Sequence, residues 1–192
     1  MPLRQLSLFG IEAGQPEMAD LAGLLAGPGQ VVKMGGTARV SVVVEDRWRA
    51  AVLVGELRVR GFTATCVATE DQQFGVRTQY STRLAPLAVA WLRESVKLPP
   101  PGFGLNGRRL RLWMTAAGNR EGNEVMLRIG QCEEGVPVRL QRALAAVGLP
   151  SDVVADPQGS GPALRINGRR RVGRLAEVVG EAPLQAPEGA WP

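Results

Sequence analysis

The chain has no histidine, only two cysteines and no long apolar run among its 192 residues. Without histidine it lacks the commonest general base and the usual zinc ligand of proteins. Cys66 and Cys132 stand singly in predicted strands without metal-ligand spacing, so we expect both to be reduced core residues. No segment approaches the roughly 20 apolar residues that span a bilayer, and the amino terminus has no signal-peptide core. We therefore expect a cytoplasmic protein without a metal, a cofactor or a membrane partner.

Composition predicts one globular unit that is attracted to polyanions. With 45% hydrophobic residues, a chain of this length can bury a core without disulfides or metals. The net charge of +5 and the isoelectric point near 10.2 favour a negatively charged partner such as nucleic acid.

The sequence contains an internal duplication. A stretch similar to 21–29 occurs at 110–118, which is 89 residues further on. Arg39 and Arg128 correspond at the same offset. The surroundings of Arg77 recur around Arg165 at an offset of 88, as a short loop deletion would produce. Each copy predicts the order helix, strand, helix, hairpin, helix. The first copy gives 16–25, 37–45, 47–60, 62–70 paired with 73–81, and 84–95; the second gives 108–117, 123–131, 138–147, 152–155 with 163–167, and 171–179.

The two copies resemble the LAGLIDADG homing-endonuclease fold. Residues 21–29 read Leu-Ala-Gly-Leu-Leu-Ala-Gly-Pro-Gly, with small residues at Gly23 and Gly27 that would let two central helices approach closely. The likeness is strongest to the degenerate, non-cleaving, WhiA-like branch of the family. It implies an α+β fold, in which a pseudo-twofold duplicated LAGLIDADG-type αββαββα-like saddle is formed by one chain. The expected segments are a flexible tail at 1–16, a first repeat at 17–98, a linker at 99–107, a second repeat at 108–182 and a disordered tail at 183–192.

The positive charge falls on one face of the predicted strands. Alternation places Arg39, Arg77, Arg128 and Arg165 opposite the core-facing side chains, together with polar residues able to read base edges. Arginines at the start of the last helix are expected to bind DNA phosphates. With the family resemblance, we predict binding of double-stranded DNA by Arg39, Thr63, Thr65, Arg77, Gln79, Arg128, Arg165, Asn167, Arg170 and Arg171. The alternative interpretation is a solvated polar face with arginines chosen for solubility.

The same resemblance predicts that the chain is not an enzyme. In the family, an acidic residue at the end of each central helix holds a divalent metal at the scissile phosphates. The matching positions here are Pro28 and Ala117, whose side chains cannot ligate a hard cation.

A short motif near the amino terminus suggests a protein partner. Residues Gln5, Leu6, Ser7, Leu8 and Phe9 resemble the pentapeptide by which bacterial replication and repair proteins dock on the DNA sliding clamp. In such a peptide Gln5 would bond at the pocket edge, while Leu8 and Phe9 would fill apolar pockets. The alternative is a terminal segment that packs its Leu and Phe on the protein's own surface.

Two functions remain open at this point. One is a non-catalytic, nucleoid-associated DNA-binding protein that is recruited to the clamp in replication or repair. The other is a WhiA-like, sequence-specific transcription regulator. Because few residues follow the last predicted helix, and WhiA-like proteins carry a helix-turn-helix domain there, we expect the first.

Overall fold

The computed structural model describes residues 15–157 and 161–192 and folds them into two halves with one order of elements. The first half contains α1 (Ala22–Ala26), β1 (Gln30–Met34), β2 (Thr37–Val44), α2 (Arg47–Val59), β3 (Ala64–Ala68), β4 (Phe74–Thr78) and α3 (Ala85–Trp91). A small hairpin of β5 (Leu92–Arg93) and β6 (Val96–Lys97) follows. The second half contains α4 (Gly107–Ala117), β7 (Gly118–Glu121), β8 (Glu124–Arg128), α5 (Val136–Ala146), β9 (Asp152–Ala155), β10 (Pro162–Asn167) and α6 (Arg169–Val179). This repetition confirms the predicted α+β fold of two αββαββα halves.

Each half builds one four-stranded antiparallel sheet. The strand order is β1-β2-β4-β3 in the first sheet and β7-β8-β10-β9 in the second. In β2, Val40, Val42 and Val44 are at most 3% exposed, while the alternate residues point away from the core. Side chains of both sheets and of the helices join in one hydrophobic core that runs through both halves. Each sheet therefore has one face on the core and one outward face.

The central contact between the halves is the pair α1 and α4. A methyl group added at Gly23 would lie 1.9 Å from the carbonyl oxygen of Arg109, and one at Gly27 would lie 2.7 Å from Cδ1 of Trp113. Glycine is required at both positions because a larger residue would collide with the opposing helix. The close approach that was expected from the small residues of 21–29 is thus confirmed.

The strands β1 and β7 were not predicted. Each follows a central helix and pairs with the next strand through a tight turn, in which Gly35 and Gly122 adopt positive φ. In β1 only Val31 is buried, because an edge strand packs little of its surface on the core. The period-two alternation that identifies strands is therefore lost in both segments.

The third helix of the first half is shorter than predicted. It was expected over 84–95, but α3 ends at Trp91, and the chain turns back through Glu94, whose φ is +59°. The resulting β5–β6 hairpin carries Lys97 towards the carboxyl end of α1.

The two cysteines and the carboxyl-terminal segment differ from what their sequence context suggested. Cys66 is exposed because β3 is an edge strand, and Cys132 is only partly buried. Segment 183–192 was expected to be disordered, yet Trp191 is 5% exposed and donates its indole N–H to the carbonyl of Gly180 at 2.9 Å. The guanidinium of Arg111 lies 5.2 Å from the centre of the same ring. The composition of this segment, which is rich in proline and glycine, predicts disorder and does not reveal that one tryptophan anchors it.

Candidate nucleic-acid interface

The outward side of the first sheet carries polar side chains interspersed with the exposed Val32, Val43 and Val67, and we call it the first face. Residues directly opposite each other on neighbouring strands point to the same side. Arg77 pairs with Ser41 on β2 and with Thr65 on β3, while Arg39 pairs with Val32 on β1. The alternate residues Ala38, Val40, Val42, Val44, Ala64 and Val76 are buried on the core side.

Two further predicted residues extend the first face beyond the ends of β3 and β4. The backbone N–H of Gln79 donates to the backbone carbonyl of Thr63 at 3.0 Å, so the register between β3 and β4 continues to these two residues. Both side chains are exposed. The structure therefore brings five of the predicted DNA-binding residues together on one surface, namely Arg39, Thr63, Thr65, Arg77 and Gln79.

The two arginines of the first face have no acidic partner among the described residues. Arg77 is exposed, and Arg39 lies over the ring of Tyr80 at 5.0 Å from its centre. The Nε atom of Arg39 is buried and has no hydrogen-bond acceptor within the described part of the chain. Both guanidinium groups thus retain their full attraction for an anion that approaches this face.

The corresponding surface of the second sheet, the second face, has a different charge balance. Arg128, Arg165 and Asn167 point outward as predicted, because Arg165 pairs with Met126 and Asn167 pairs with Glu124. Arg165 also pairs with Asp152, and their side chains are 3.7 Å apart. Arg128 forms an ion pair at 2.5 Å with Glu45, from the end of β2. Three carboxylates share this face, those of Glu121, Glu124 and Asp152.

The four arginines are therefore equivalent in position but not in surroundings. On the second face Arg128 and Arg165 each lie within 4 Å of a carboxylate, while on the first face Arg39 and Arg77 have no such neighbour among the described residues. The Nε atom of Arg165, like that of Arg39, has no hydrogen-bond acceptor in the described part of the chain. All four arginines lie on the side of the sheet that the alternation predicts. The difference in charge balance could not be predicted, because ion pairs between separate strands are not visible in one strand's alternation.

Arg170 and Arg171 lie elsewhere. They are exposed residues of α6, whose buried side consists of Val172, Leu175 and Val179. This helix packs on the core side of the second sheet. The structure consequently does not bring these two arginines together with the residues of either face.

A buried cation, Arg49, and a partly buried one, Lys97, close the carboxyl ends of the central helices. The guanidinium of Arg49, on α2, donates to the carbonyls of Met114 at 3.2 Å, Thr115 at 2.9 Å and Gly118 at 2.6 Å. The amino group of Lys97 donates to the carbonyls of Gly27 and Gly29, each at 2.7 Å. The last carbonyls of a helix have no partner within the helix and carry the negative end of its dipole, so a cation stabilises them.

Burial perturbs both of these groups. Desolvation lowers the pKa of Lys97 from 10.5 to about 8, which a nearby Cys132 opposes in part. Desolvation also lowers the pKa of Arg49, although Asp46 bonds to its Nε at 2.9 Å and acts in the opposite direction. The two helix ends are therefore low-dielectric sites in which a positive charge is already present.

Neither Arg49 nor Lys97 was identified from the sequence. The sequence does contain a signal for Arg49. It lies four residues before Leu53 and eight before Leu57, which are both buried, so helical periodicity places it on the apolar side of α2. No periodicity marks Lys97, because it belongs to a two-residue strand.

Acidic side chains lie near the carboxyl ends of the central helices. A cavity of about 250 Å³ lies between the halves, where Glu45 and Asp46 meet Glu121 and Glu124. No group of three or more metal-ligating side chains among the described residues is placed to hold an ion. Asp20 is 2% exposed and is bound to Arg60 at 3.0 Å and to Arg108 at 3.2 Å.

No helix of the described residues is long and apolar enough to cross a membrane.

The arrangement of two sheets around a central helix pair is that of known LAGLIDADG structures. The chain is similar to the homing endonuclease I-WcaI bound to its DNA recognition sequence, with a TM-score of 0.62 at 11% identity over 82% of this chain and 77% of that one. It is also similar to the N-terminal LAGLIDADG domain of DUF199/WhiA, with a TM-score of 0.59 at 10% identity over 85% and 82% of the two chains. Full-length DUF199/WhiA from Thermatoga maritima gives a TM-score of 0.59 at 10% identity over 87% of this chain and 56% of that one. The sequence matches no protein-family model and no curated protein. The similarities show that the chain has the LAGLIDADG fold.

Proposed function

We propose that the chain is a DNA-binding protein that does not cleave DNA and is recruited to the bacterial sliding clamp. The observation that carries the first part is the first face, where Arg39 and Arg77 lie without acidic partners among hydroxyl and amide side chains. Guanidinium groups bind phosphates and the major-groove edge of guanine, and threonine, serine and glutamine bond to base edges. A solved structure with the same fold, that of I-WcaI, is bound to its DNA recognition sequence.

The spacing of the first face suits a duplex. Alternate residues on a strand, such as Arg39 and Ser41, are about 7 Å apart, which is roughly two base-pair steps of 3.4 Å. An antiparallel ribbon also fits the width of the major groove. Side chains directly opposite each other on neighbouring strands can therefore contact one region of the groove. The next such set along the strands can contact the adjacent base pairs.

Absence of cleavage is supported by the ends of the two central helices. Pro28 and Ala117 stand where the resemblance requires metal-binding acids, and Ala117 is 1% exposed. Arg49 and Lys97 add buried positive charge close to both positions, which opposes the binding of a divalent cation. Incubation of plasmid DNA with the purified chain and Mg²⁺ or Mn²⁺ tests this part. We expect no nicking, and nicking that is lost on mutation of Glu17 or Asp20 would contradict it.

Recruitment to the clamp is proposed from Gln5, Leu6, Ser7, Leu8 and Phe9, which lie outside the described residues. The described chain begins with the exposed residues Gln15, Pro16 and Glu17, so it enters the fold from the surface. A peptide of this kind binds through a few apolar anchors and loses part of the gain to ordering, so we expect an affinity on the order of micromolar.

The experiment is calorimetric titration of the bacterial clamp with the intact chain and with a Leu8→Ala, Phe9→Ala variant. We expect the variant to bind at least about thirtyfold more weakly, because both pockets are left empty, while its DNA binding is unchanged. Equal heats for the two proteins, or no heat from the intact chain, would remove the clamp from the proposal. The transcription regulator suggested by the WhiA-like fold would then be the better hypothesis.

A further inference from the structure

A dense group of positive charge lies on α6, away from both outward faces. Its members are the exposed residues Arg169, Arg170, Arg171 and Arg174, which we call the α6 arginine cluster. Together with Gly148, Pro150, Gly173 and one carboxylate, Glu177, they line an open cavity of about 880 Å³. The buried side of the helix, formed by Val172, Leu175 and Val179, faces the core, so the cluster faces solvent.

The surroundings of the cluster leave its charge largely uncompensated. Only Arg174 has a carboxylate partner among the described residues, Glu177 at 3.0 Å. The first turn of α6 contains no acidic residue, and Gly168 provides no side-chain cap. Three cations therefore sit at the positive end of the helix dipole, an arrangement that is electrostatically unfavourable. An anion held in the cavity would offset both this cost and the mutual repulsion of the arginines.

The position of the cluster separates it from the first and second faces. In β10, Leu164 and Ile166 point to the core side, where α6 packs, whereas Arg165 and Asn167 point outward. The cluster is therefore on the opposite side of the second sheet from Arg165 and Asn167, and it lies in the other half of the chain from the first face. A single duplex on the first face leaves the cluster free.

We propose that the α6 arginine cluster binds the phosphate backbone of a second DNA duplex, so that one chain joins two DNA segments. Duplex DNA carries one negative charge per about 1.7 Å of its axis, which suits several arginines in an open cavity. The lining contributes no large apolar side chain, whereas a protein partner would usually need such an anchor. The inference rests on the proposed function, in which the first face binds the first duplex.

The experiment uses the full chain bound to an immobilised duplex, to which a second, fluorescent duplex is added. The test variant carries Arg170→Glu and Arg174→Glu. The matched control carries Arg58→Glu and Arg139→Glu, which change the net charge equally at exposed positions of α2 and α5. Circular dichroism and thermal unfolding verify that both variants are folded. A third variant, Arg39→Ala with Arg77→Ala, reports on the first face.

We expect the test variant to capture at least about tenfold less of the second duplex than the control, while its affinity for one duplex changes by less than about threefold. Equal capture by the test variant and the control would overturn the inference. So would an intact chain that binds one duplex but never a second, which would instead favour an acidic protein as the partner of the cluster. Unchanged binding by the Arg39→Ala, Arg77→Ala variant would refute the first face as the DNA site. Loss of capture in the test variant would still support the cluster in that case.

Discussion

Arg49 donates to the carbonyl oxygen of Gly118 at 2.6 Å, so a helix of the first half closes the central helix of the second. The contact is buried, and Arg49 is 5% exposed. Removal of the guanidinium would leave the carbonyls of Met114, Thr115 and Gly118 without this donor. We therefore expect Arg49→Met to lower the free energy of unfolding by at least about 3 kcal/mol. Urea denaturation measures the change, and Arg58→Met, at an exposed position of the same helix, is the control. A similar small effect for both variants would show that Arg49 does not hold the halves together.

The central helix pair gives a second prediction, for Gly23→Ala. A Cβ at this position would lie 1.9 Å from the backbone oxygen of Arg109, so the helices must separate and core packing is lost. We expect a loss of more than about 2 kcal/mol in the free energy of unfolding. The control is Gly55→Ala on α2, where a Cβ meets nothing within 4 Å and alanine should stabilise the helix by up to about 1 kcal/mol. Opposite signs for the two substitutions are the expected result, and equal effects would contradict the packing described for α1 and α4.

Lys97 makes stability depend on pH in a defined direction. Burial lowers its pKa from 10.5 to about 8, so between these values the unfolded chain binds the proton more tightly than the folded chain does. Stability from this group is therefore lowest below pH 8 and rises as the pH approaches 10.5, by no more than about 1.4 kcal/mol per pH unit. We subtract the unfolding free energy of the Lys97→Met variant from that of the intact chain. We expect this difference to increase from pH 7 to pH 10, because only the intact chain gains stability from the loss of the proton. A constant difference would mean that the amine keeps an ordinary pKa, and a falling difference would mean that its folded-state pKa is raised; either would contradict the prediction.

The carboxylates of the second face should limit DNA binding. Glu121, Glu124 and Asp152 repel phosphates, and Asp152 also lies 3.7 Å from Arg165. We expect the triple variant Glu121→Gln, Glu124→Gln, Asp152→Asn to bind duplex DNA several-fold more tightly at low salt, with a steeper salt dependence. Neutralisation of Glu94, Glu133 and Glu134, which are exposed elsewhere, is the control for net charge. Equal gains in both variants would show that only total charge matters.

How far the sequence predicts this molecule depends on the range of the interactions involved. The duplication, the packing glycines and the side of each sheet that carries Arg39, Arg77, Arg128 and Arg165 follow from local periodicity and spacing. The ion pair of Arg128 with Glu45 and the bonds of Lys97 to Gly27 and Gly29 join residues far apart in the chain. Such contacts leave no local pattern, and they are what distinguishes the two faces and closes the helix ends.

The central claim is that the first face binds duplex DNA through Arg39 and Arg77. The most direct measurement is fluorescence anisotropy of a labelled duplex over a range of salt concentrations, with the intact chain, Arg39→Ala with Arg77→Ala, and Arg58→Ala with Arg139→Ala as the control. If both arginines contact phosphates, the test variant should bind at least about tenfold more weakly, and the slope of log affinity against log salt should shrink by roughly 1.8. The control should retain both quantities. An Arg39→Ala, Arg77→Ala variant with the affinity and the salt dependence of the intact chain would contradict the claim.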